Sequence, residues 1–409
     1  MSQSVVLVSE AADGKGGASL AALNSALILA RAGLHVRFFA GTGPFCPPEP
    51  APANLQAMVL TDGVDLVRAP LLKRATQSLW NETAADRFAA FVADLDPAST
   101  IVHVHTFQHQ LTGSVVRMAS DLGFPVVFTA HDYGLACPYS GFYHNANGAP
   151  CGKRALSLGC ATTLCTEGRS VPGKAWHLAK GLTQRGPGQV PKAFRHVAFV
   201  SEFSRQILRP YLPERTPTSI VRNPIPIEPG PPRVLQPEAP FLYVGRLTRE
   251  KGVVTLARAA GLAKVPVEFI GTGEMADSVK EANSNAVMLG WLSPGEVRER
   301  MRAARALVFP SQWYETQGMT VVEAQAVGLP IIVACGCAAT EAVRDGEDGY
   351  HFEPGNVEDL ARKLLQMDDQ TATRMGLAAH QKLWANPPTP ELHLEQTLAM
   401  YDSVLGART

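Results

Sequence analysis

The segment PSQWYETQGMTVVEAQAVGLP (310–330) carries two carboxylates, Glu315 and Glu323, eight positions apart, with a glycine and small residues between them at what reads as the start of a helix. Upstream, FLYVGRLTREKG places Arg246 and Lys251 on a glycine-containing turn directly after a short apolar run, where two cations would face an anion. The helix begins near Gly318, and its free N–H groups and the positive end of its dipole favour a phosphate. A diphosphate held by Arg246, Lys251 and the amides near Gly318, Met319 and Thr320 needs no divalent metal. Glu315, just ahead of the helix, would lie beside whatever the diphosphate carries. Glu323 would accept hydrogen bonds from neutral hydroxyls such as those of ribose, because a carboxylate is a poor partner for phosphate and a good acceptor for a diol. Spacing alone equally allows two solvated helix acids.

These residues need elements that end where they stand. SVVLVSE opens as a buried strand, ADGKGGAS follows as a turn, and SLAALNSALILARAGLHVRFF reads as helix then strand, a βαβ beginning. IVHVH (101–105) and FPVVFTAHD (124–132) repeat the pattern of an apolar run ending in polar groups, and HVAFVSEFSRQIL adds a strand and a helix. Alternation along IVHVH puts His103 and His105 on one side and the valines in the core. The prolines of RNPIPIEPGPPRVLQPEAP forbid a long helix or a central strand, so residues 222–240 read as a linker between a first domain (1–221) and a second (241–386). The second repeats the scheme in FLYVGRLTREKG, PVEFIGTGE, AVMLGWLS, ALVFPSQ and PIIVACG. A last amphipathic segment (387–409) follows NPPTPE and either caps the second domain or crosses back to the first. The expected fold class is α/β, two Rossmann-like, doubly wound parallel sheets facing across a cleft, with every polar motif at the carboxyl end of a strand.

In order and spacing, GRLTREKG, VEFIGTGE and FPSQWYETQGMTVVEAQAVGLPIIVACGCAATEAVRDGEDGYHFEPGN resemble the donor-binding domain of the retaining glycosyltransferase family 4, of GT-B fold. GKGGAS, IVHVH and TAHD extend the resemblance more weakly into the first domain. The resemblance implies transfer of a sugar, with retention at the anomeric carbon, from a nucleoside-diphosphate donor (UDP- or GDP-sugar) to a glycan, a lipid-linked or a small-molecule acceptor, as in cell-surface polysaccharide or glycolipid synthesis. It implies that Arg246 and Lys251 stabilise the departing diphosphate, that Glu315 lies along the donor sugar and that Glu323 holds the ribose. By the same carry-over His131 faces the reacting side of the sugar, Gly16, Gly17, Gly245 and Gly271 are donor-side glycines, and His105 and Asp132 stand on the acceptor side. ETQG follows where an aromatic often stands, so sugar selectivity does not carry over. A nucleotide-sugar 2-epimerase of the same fold, or a non-catalytic nucleotide-sugar or glycan-binding protein, remains an alternative.

The segment DYGLACPYSGFYHNANGAPCGKRALSLGCATTLCTEG, within an insertion at about 133–170, holds Cys137, Cys151, Cys160 and Cys165, four of the seven cysteines. Four thiolates could close a tetrahedral site and order a loop that has little core of its own. The absence of C-x2-C knuckles leaves zinc, an iron–sulfur cluster and unconnected thiols open. From Cys151 to Arg195 eight Lys or Arg stand against one acid, Glu167, which suits an anionic acceptor or an anionic leaflet as well as plain solvation.

Over all 409 residues, thirty-seven basic side chains balance thirty-seven acidic ones, so no global field points to nucleic acid. No run approaches the length of a membrane span, and the start lacks a signal-peptide pattern, so the expectation is a cytoplasmic enzyme with at most a peripheral contact on the inner face of the membrane.

Overall fold

The computed structural model describes residues 4–61, 76–166 and 170–406. Its strands are β1 (Ser4–Ala11), β2 (His35–Thr42), β3 (Leu55–Thr61), β4 (Thr100–Val104), β5 (Val126–Ala130), the short β6 (Tyr143–His144) and β7 (Ala149–Pro150), β8 (Phe194–Phe199), β9 (Thr218–Ile220), β10 (Phe241–Val244), β11 (Val267–Ile270), β12 (Val287–Gly290), β13 (Ala306–Phe309), β14 (Ile331–Ala334) and β15 (Gly349–Phe352). Among the described residues two sheets form the scaffold, in the orders β3-β2-β1-β4-β5-β8-β9 and β12-β11-β10-β13-β14-β15. The neighbours within both are parallel. Each sheet therefore reverses its winding once, between β1 and β4 and between β10 and β13. At such a reversal the crossover helices part to opposite faces and leave a crevice beyond the carboxyl ends of the strands.

Helices cover both faces of the strands, which is why the strands read as unbroken apolar runs. Val5, Val6, Leu7 and Val8 of β1 are all fully buried. Alternation sends Val6 and Val8 into a core with Val102, Val104 and Phe128, and Val5 and Leu7 into another with Leu23, Phe38 and Ile101. The second sheet is sandwiched in the same way, with Phe241 and Phe269 on one face and Leu242 and Leu307 on the other. Each such side chain contributes about 1.5–3 kcal/mol of burial free energy, enough to hold the strand ends in place under polar loops.

Residues 221–240 form no regular element, as their prolines dictate. The last helix, Pro390–Gly406, lies against the first domain, where Met400, Tyr401 and Val404 join the core that contains Val5 and Leu23. His393 Nε2 is 2.8 Å from Ser25 Oγ, and the Tyr401 hydroxyl is 2.7 Å from His103 Nδ1. Between β5 and the helix Val171–Arg185, the glycine- and proline-rich segment contributes the β6–β7 pair and a short helix, Leu158–Thr162. Tyr133 and Phe142 tie it to the first core, their rings edge to face at 5.6 Å.

Candidate active site

On the second domain, the loops after β10 and β13 are pressed together. Gly252, at φ +68°, stands so close to the neighbouring loop that a Cβ there would come 2.0 Å from the Pro310 carbonyl oxygen. This contact brings Lys251 to the Ser311–Glu315 stretch. Lys251 Nζ donates to Glu315 Oε1, and Ser311 Oγ donates to the same oxygen at 3.0 Å. The Lys251 ammonium also lies 5.5 Å from the centre of the Trp313 ring. Both partners of the ion pair are largely withdrawn from water, with 19% and 8% of their side chains exposed. Removing one partner of such a pair costs roughly 3–5 kcal/mol, because the other charge is left buried. Arg246 is the exposed cation of the two, with 69% of its side chain in water and a guanidinium nitrogen 3.5 Å from Glu250 Oε1.

Lys251, Arg246 and Glu315 line a cavity of about 400 Å³ together with Gly245, Met319 and Thr320 from the second domain, Gly17 and His131 from the first, and Asn223 from the connecting segment. Two helix starts meet there. Helix Met319–Ala326 begins after Gly318 and helix Gly17–Arg31 after Gly16, and neither has a capping side chain on its free N–H groups. A Cβ on Gly17 would lie 3.1 Å from the Met319 methyl, so the two helix ends are within van der Waals reach across the cleft. The cavity thus combines two cations with two positive dipole ends.

His131 follows β5, and its Nε2 is hydrogen-bonded to His105 Nδ1 at 2.8 Å. Behind them His103 stacks on His105 with ring centres 4.3 Å apart, pinned by Tyr401 and by the Thr129 hydroxyl at 2.7 Å. Burial, and then the charge of His393, holds the His131 imidazole down at about 3, and burial takes His103 and His105 well below the ordinary histidine value. All three rings are neutral near pH 7. His131 therefore presents a hydrogen-bonding edge, not a positive charge.

Several of the expected residues lie outside this lining. His105 and Asp132, placed on the acceptor side by resemblance, do not line the cavity: His105 is buried behind His131, and the Asp132 carboxylate closes its own turn by accepting from the Gly134 N–H at 2.7 Å. Gly271 works from behind, since a Cβ on it would come 1.9 Å from the Gly245 carbonyl oxygen. Gly318 meets Ala339 in the same manner, at 2.8 Å. Gly16 has open space around it. Glu323 lies deeper along its helix, outside the cavity lining, and burial pushes its carboxyl up to about 7 against the pull of Arg298.

Sequence reasoning passed over the residues that join the domains. Thr316 Oγ1 donates to the His131 carbonyl oxygen at 2.8 Å, and Tyr314 packs edge-on against Tyr133 and Phe203, with centres 6.1 and 5.7 Å apart. Glu341 accepts from the backbone N–H groups of Glu202 and Phe203 at the start of another first-domain helix. The signal available was WYET itself, two adjacent aromatics in a loop that its own domain cannot bury.

The basic stretch is not one cationic face. Lys174 and Lys180 are buried, while Lys153, Arg154, Lys192 and Arg195 are exposed; Glu167 and Arg169 lie outside the described residues. Leu158, Val171 and Leu182 are exposed on the same segment. Among the described residues no helix is long and apolar enough to cross a membrane. All seven cysteines are free thiols, and among the described residues no group of three or more His, Cys, Asp or Glu side chains is placed to hold a metal ion.

Residues 16–224 match the family described as "Glycosyl transferase 4-like domain", and residues 232–382 match "Glycosyl transferases group 1". The chain is 28% identical over 355 residues to alpha-maltose-1-phosphate synthase of Mycobacterium tuberculosis (strain ATCC 25618 / H37Rv), covering 76% of this chain and 81% of that protein. Sulfoquinovosyl transferase SQD2 of Arabidopsis thaliana is 31% identical over 156 residues, 36% of this chain and 30% of its own. Among solved structures, sucrose-phosphate synthase from Thermosynechococcus elongatus superposes with a TM-score of 0.70 at 18% identity, covering 99% and 100% of the two chains. HepE of Anabaena, in complex with UDP and glucose, superposes with a TM-score of 0.65 at 16% identity, covering 98% and 100%. At such identities the superpositions establish the GT-B fold.

Proposed function

Since the chain belongs to the glycosyl transferases, joining a 4-like N-terminal domain to a group 1 C-terminal domain, we propose that it moves a sugar, with retention at the anomeric carbon, from a UDP- or GDP-sugar to a glycan, lipid-linked or small-molecule acceptor, as in cell-surface polysaccharide or glycolipid synthesis. The observation that carries this reading is the convergence of Lys251, Arg246, Glu315, His131 and two uncapped helix starts on one cavity at the facing switch points. Departure of a nucleoside diphosphate develops negative charge on its terminal phosphate. Cations and dipoles already in place stabilise that charge without reorganisation, and a water-poor cleft strengthens them.

In this reading Lys251 is held in position by Glu315 until the diphosphate arrives and shares the ammonium. Arg246, exposed in the free protein, closes over the outer phosphate. The amides of Met319 and Thr320 take the remaining oxygens. Glu315 lies along the donor sugar, and Glu323, outside the cavity lining, accepts from the ribose hydroxyls if the nucleoside reaches down its helix. His131 Nε2 is committed to His105, so the other ring nitrogen serves the sugar. The UDP in the HepE structure supports a uridine donor for this fold and leaves guanosine to experiment. The exposed Lys153, Arg154, Lys192 and Arg195, with Leu158, Val171 and Leu182 beside them in sequence, would bring a lipid-linked acceptor and its anionic leaflet to the first domain.

A thermal-shift panel of UDP-, GDP-, ADP- and TDP-sugars tests the donor, since a ligand at a hundred times its Kd stabilises by about 2.7 kcal/mol. With the donor found, Lys251→Ala is expected to lower turnover by roughly 10²–10³-fold, the scale of losing one donor to a developing anion. Unchanged turnover would remove the assignment. Incubation with the donor alone separates the rival chemistry, because an isomerised sugar would turn the reading to a 2-epimerase.

A further inference from the structure

The sugar-transfer site makes no use of the thiols between β5 and the helix Val171–Arg185. Cys137, Cys151, Cys160 and Cys165, spread over 29 residues of sequence, all line one enclosed cavity of about 20 Å³. We propose that these four cysteines bind one zinc-type divalent ion, and that the ion orders this segment against the donor side of the cleft.

Three observations carry it. First, the backbone at each cysteine is already anchored: the N–H of Cys137 donates to the Tyr133 carbonyl at 2.8 Å and that of Cys151 to the Phe142 carbonyl at 2.5 Å. The N–H of Cys160 donates to Ser157 Oγ at 3.2 Å, and the Cys165 carbonyl accepts from Asn145 Nδ2 at 3.2 Å. These anchors fix the four backbones around one cavity, and closing a tetrahedral set requires the sulfurs to move inward, because no three of them are placed to hold an ion among the described residues. Second, Lys174 is 5% exposed, and its ammonium points at Cys165 Sγ (3.4 Å) and Cys160 Sγ (3.6 Å), with no carboxylate pairing with it among the described residues. A buried ammonium facing neutral thiols is poorly solvated, because sulfur is a weak acceptor. Four thiolates around a dication leave two negative charges, and Lys174 compensates one of them as a hydrogen-bond donor to the ligating sulfurs. Third, the cavity is only somewhat larger than the roughly 10–15 Å³ that a single water occupies on this measure. It takes one ion, and the several iron and sulfide atoms of a cluster exceed it.

The segment has two-residue strands and a five-residue helix, with Leu158 87% exposed, so it has little core to hold its shape. Yet it touches the donor loops: a Cβ on Gly141 would lie 3.8 Å from the Trp313 ring, and one on Gly148 would lie 3.5 Å from the Arg249 guanidinium. Those are the loops that carry Glu315 and Lys251. Binding is not a redox step: as each sulfur–metal bond forms, a thiol proton leaves to solvent, and the Lys174 ammonium withdraws from between Cys160 and Cys165 to the periphery.

The test uses the full chain, expressed with zinc and purified under reducing conditions. Elemental analysis is expected to find one zinc per chain. Replacement by cobalt(II) is expected to give the intense visible bands of a tetrahedral site with sulfur-to-cobalt charge transfer. The Cys160→Ser, Cys165→Ser double variant should lose the metal, whereas Cys46→Ser, Cys335→Ser, which alters two exposed thiols outside the cavity, should keep it. Chelation should open residues 137–166 to limited proteolysis. A folded, reduced wild-type chain with no stoichiometric metal, a cobalt spectrum without thiolate bands, or a native Cys160–Cys165 disulfide would each overturn the proposal, and none of them bears on whether the chain transfers sugars.

Discussion

At His131, burial decides what chemistry is available. Burial, and then the His393 charge beyond, holds the ring at about 3, so it stays neutral across the range in which an enzyme is assayed. A neutral ring can orient a sugar hydroxyl but cannot deliver a proton as an acid of ordinary histidine strength. His131→Ala is therefore expected to lower kcat by about 10–100-fold, the scale of one strong hydrogen bond, while the pH profile of the remaining activity overlays that of the parent between pH 5 and 8. An acid limb near 6.5 that vanishes in the variant would show instead that His131 titrates during turnover. Single residues were legible where type and strand position coincide. Arg246, Lys251, Glu315 and His131 each follow a strand of a reversing sheet, and all four reach the cavity. Glu323 was not legible to the same degree. Four residues beyond Met319 it is about 6 Å further along the helix axis, and how far the sugar or ribose reaches down that helix is a matter of loop geometry, which spacing does not carry.

At the scale of elements, parallel strands announced themselves because they are buried on both faces, and the turns after them because glycine and charge interrupt the apolar run. The meeting of two such turns left no trace in either. In the sequence Gly252 only closes the glycine-containing turn GRLTREKG, but its place against the Pro310 carbonyl is what sets Lys251 beside Glu315. Gly252→Ala is expected to force the loops apart, because the residue sits at φ +68° and its new methyl has no room. The cost is about 1–3 kcal/mol of stability, in the range of other overpacking changes. A matching rise in KM for the donor is expected, because the ion pair that orients Lys251 is separated. A variant with parent-like Tm and KM would mean that the two loops yield freely and that the contact positions nothing. The joining of the domains left only the two adjacent aromatics of WYET as a signal, and the partners of Tyr314, Thr316 and Glu341 could not be read, since contacts between loops from different domains have no period.

At the scale of the molecule, the chain leaves its second domain through Asp369–Ala385 and returns to the first as Pro390–Gly406, so the last helix fastens one domain to the end of the other. The fastening is polar and buried. His393 lies between Ser25 and the Arg222 carbonyl at 2.8 Å each, and Tyr401 holds His103. Burial pushes His393 down to about 4, and His103, His105 and His131 are depressed alongside it. The sign follows from proton counts. Below the ordinary histidine value of 6.5 the unfolded chain binds protons that these rings refuse in the fold, so the stability present above 6.5 is lost as pH falls toward 4 and 3. Each histidine so treated contributes a slope of about 1.4 kcal/mol per pH unit. Glu323 acts in the opposite sense: its folded value of about 7 gives stability present below 4.5 and lost as pH rises through 7. His177 and His196 are depressed by burial as well, and burial raises Asp132 alongside Glu323; six depressed histidines outweigh two raised carboxyls, so Tm is expected to fall steeply between pH 6.5 and 5. Replacing His393 by Gln keeps an amide able to bond both partners and removes one titrating group, which should reduce the slope by about one proton's worth. Thermal denaturation of both chains across that interval decides the matter, and a Tm independent of pH in the parent would mean that the buried rings take up protons without unfolding.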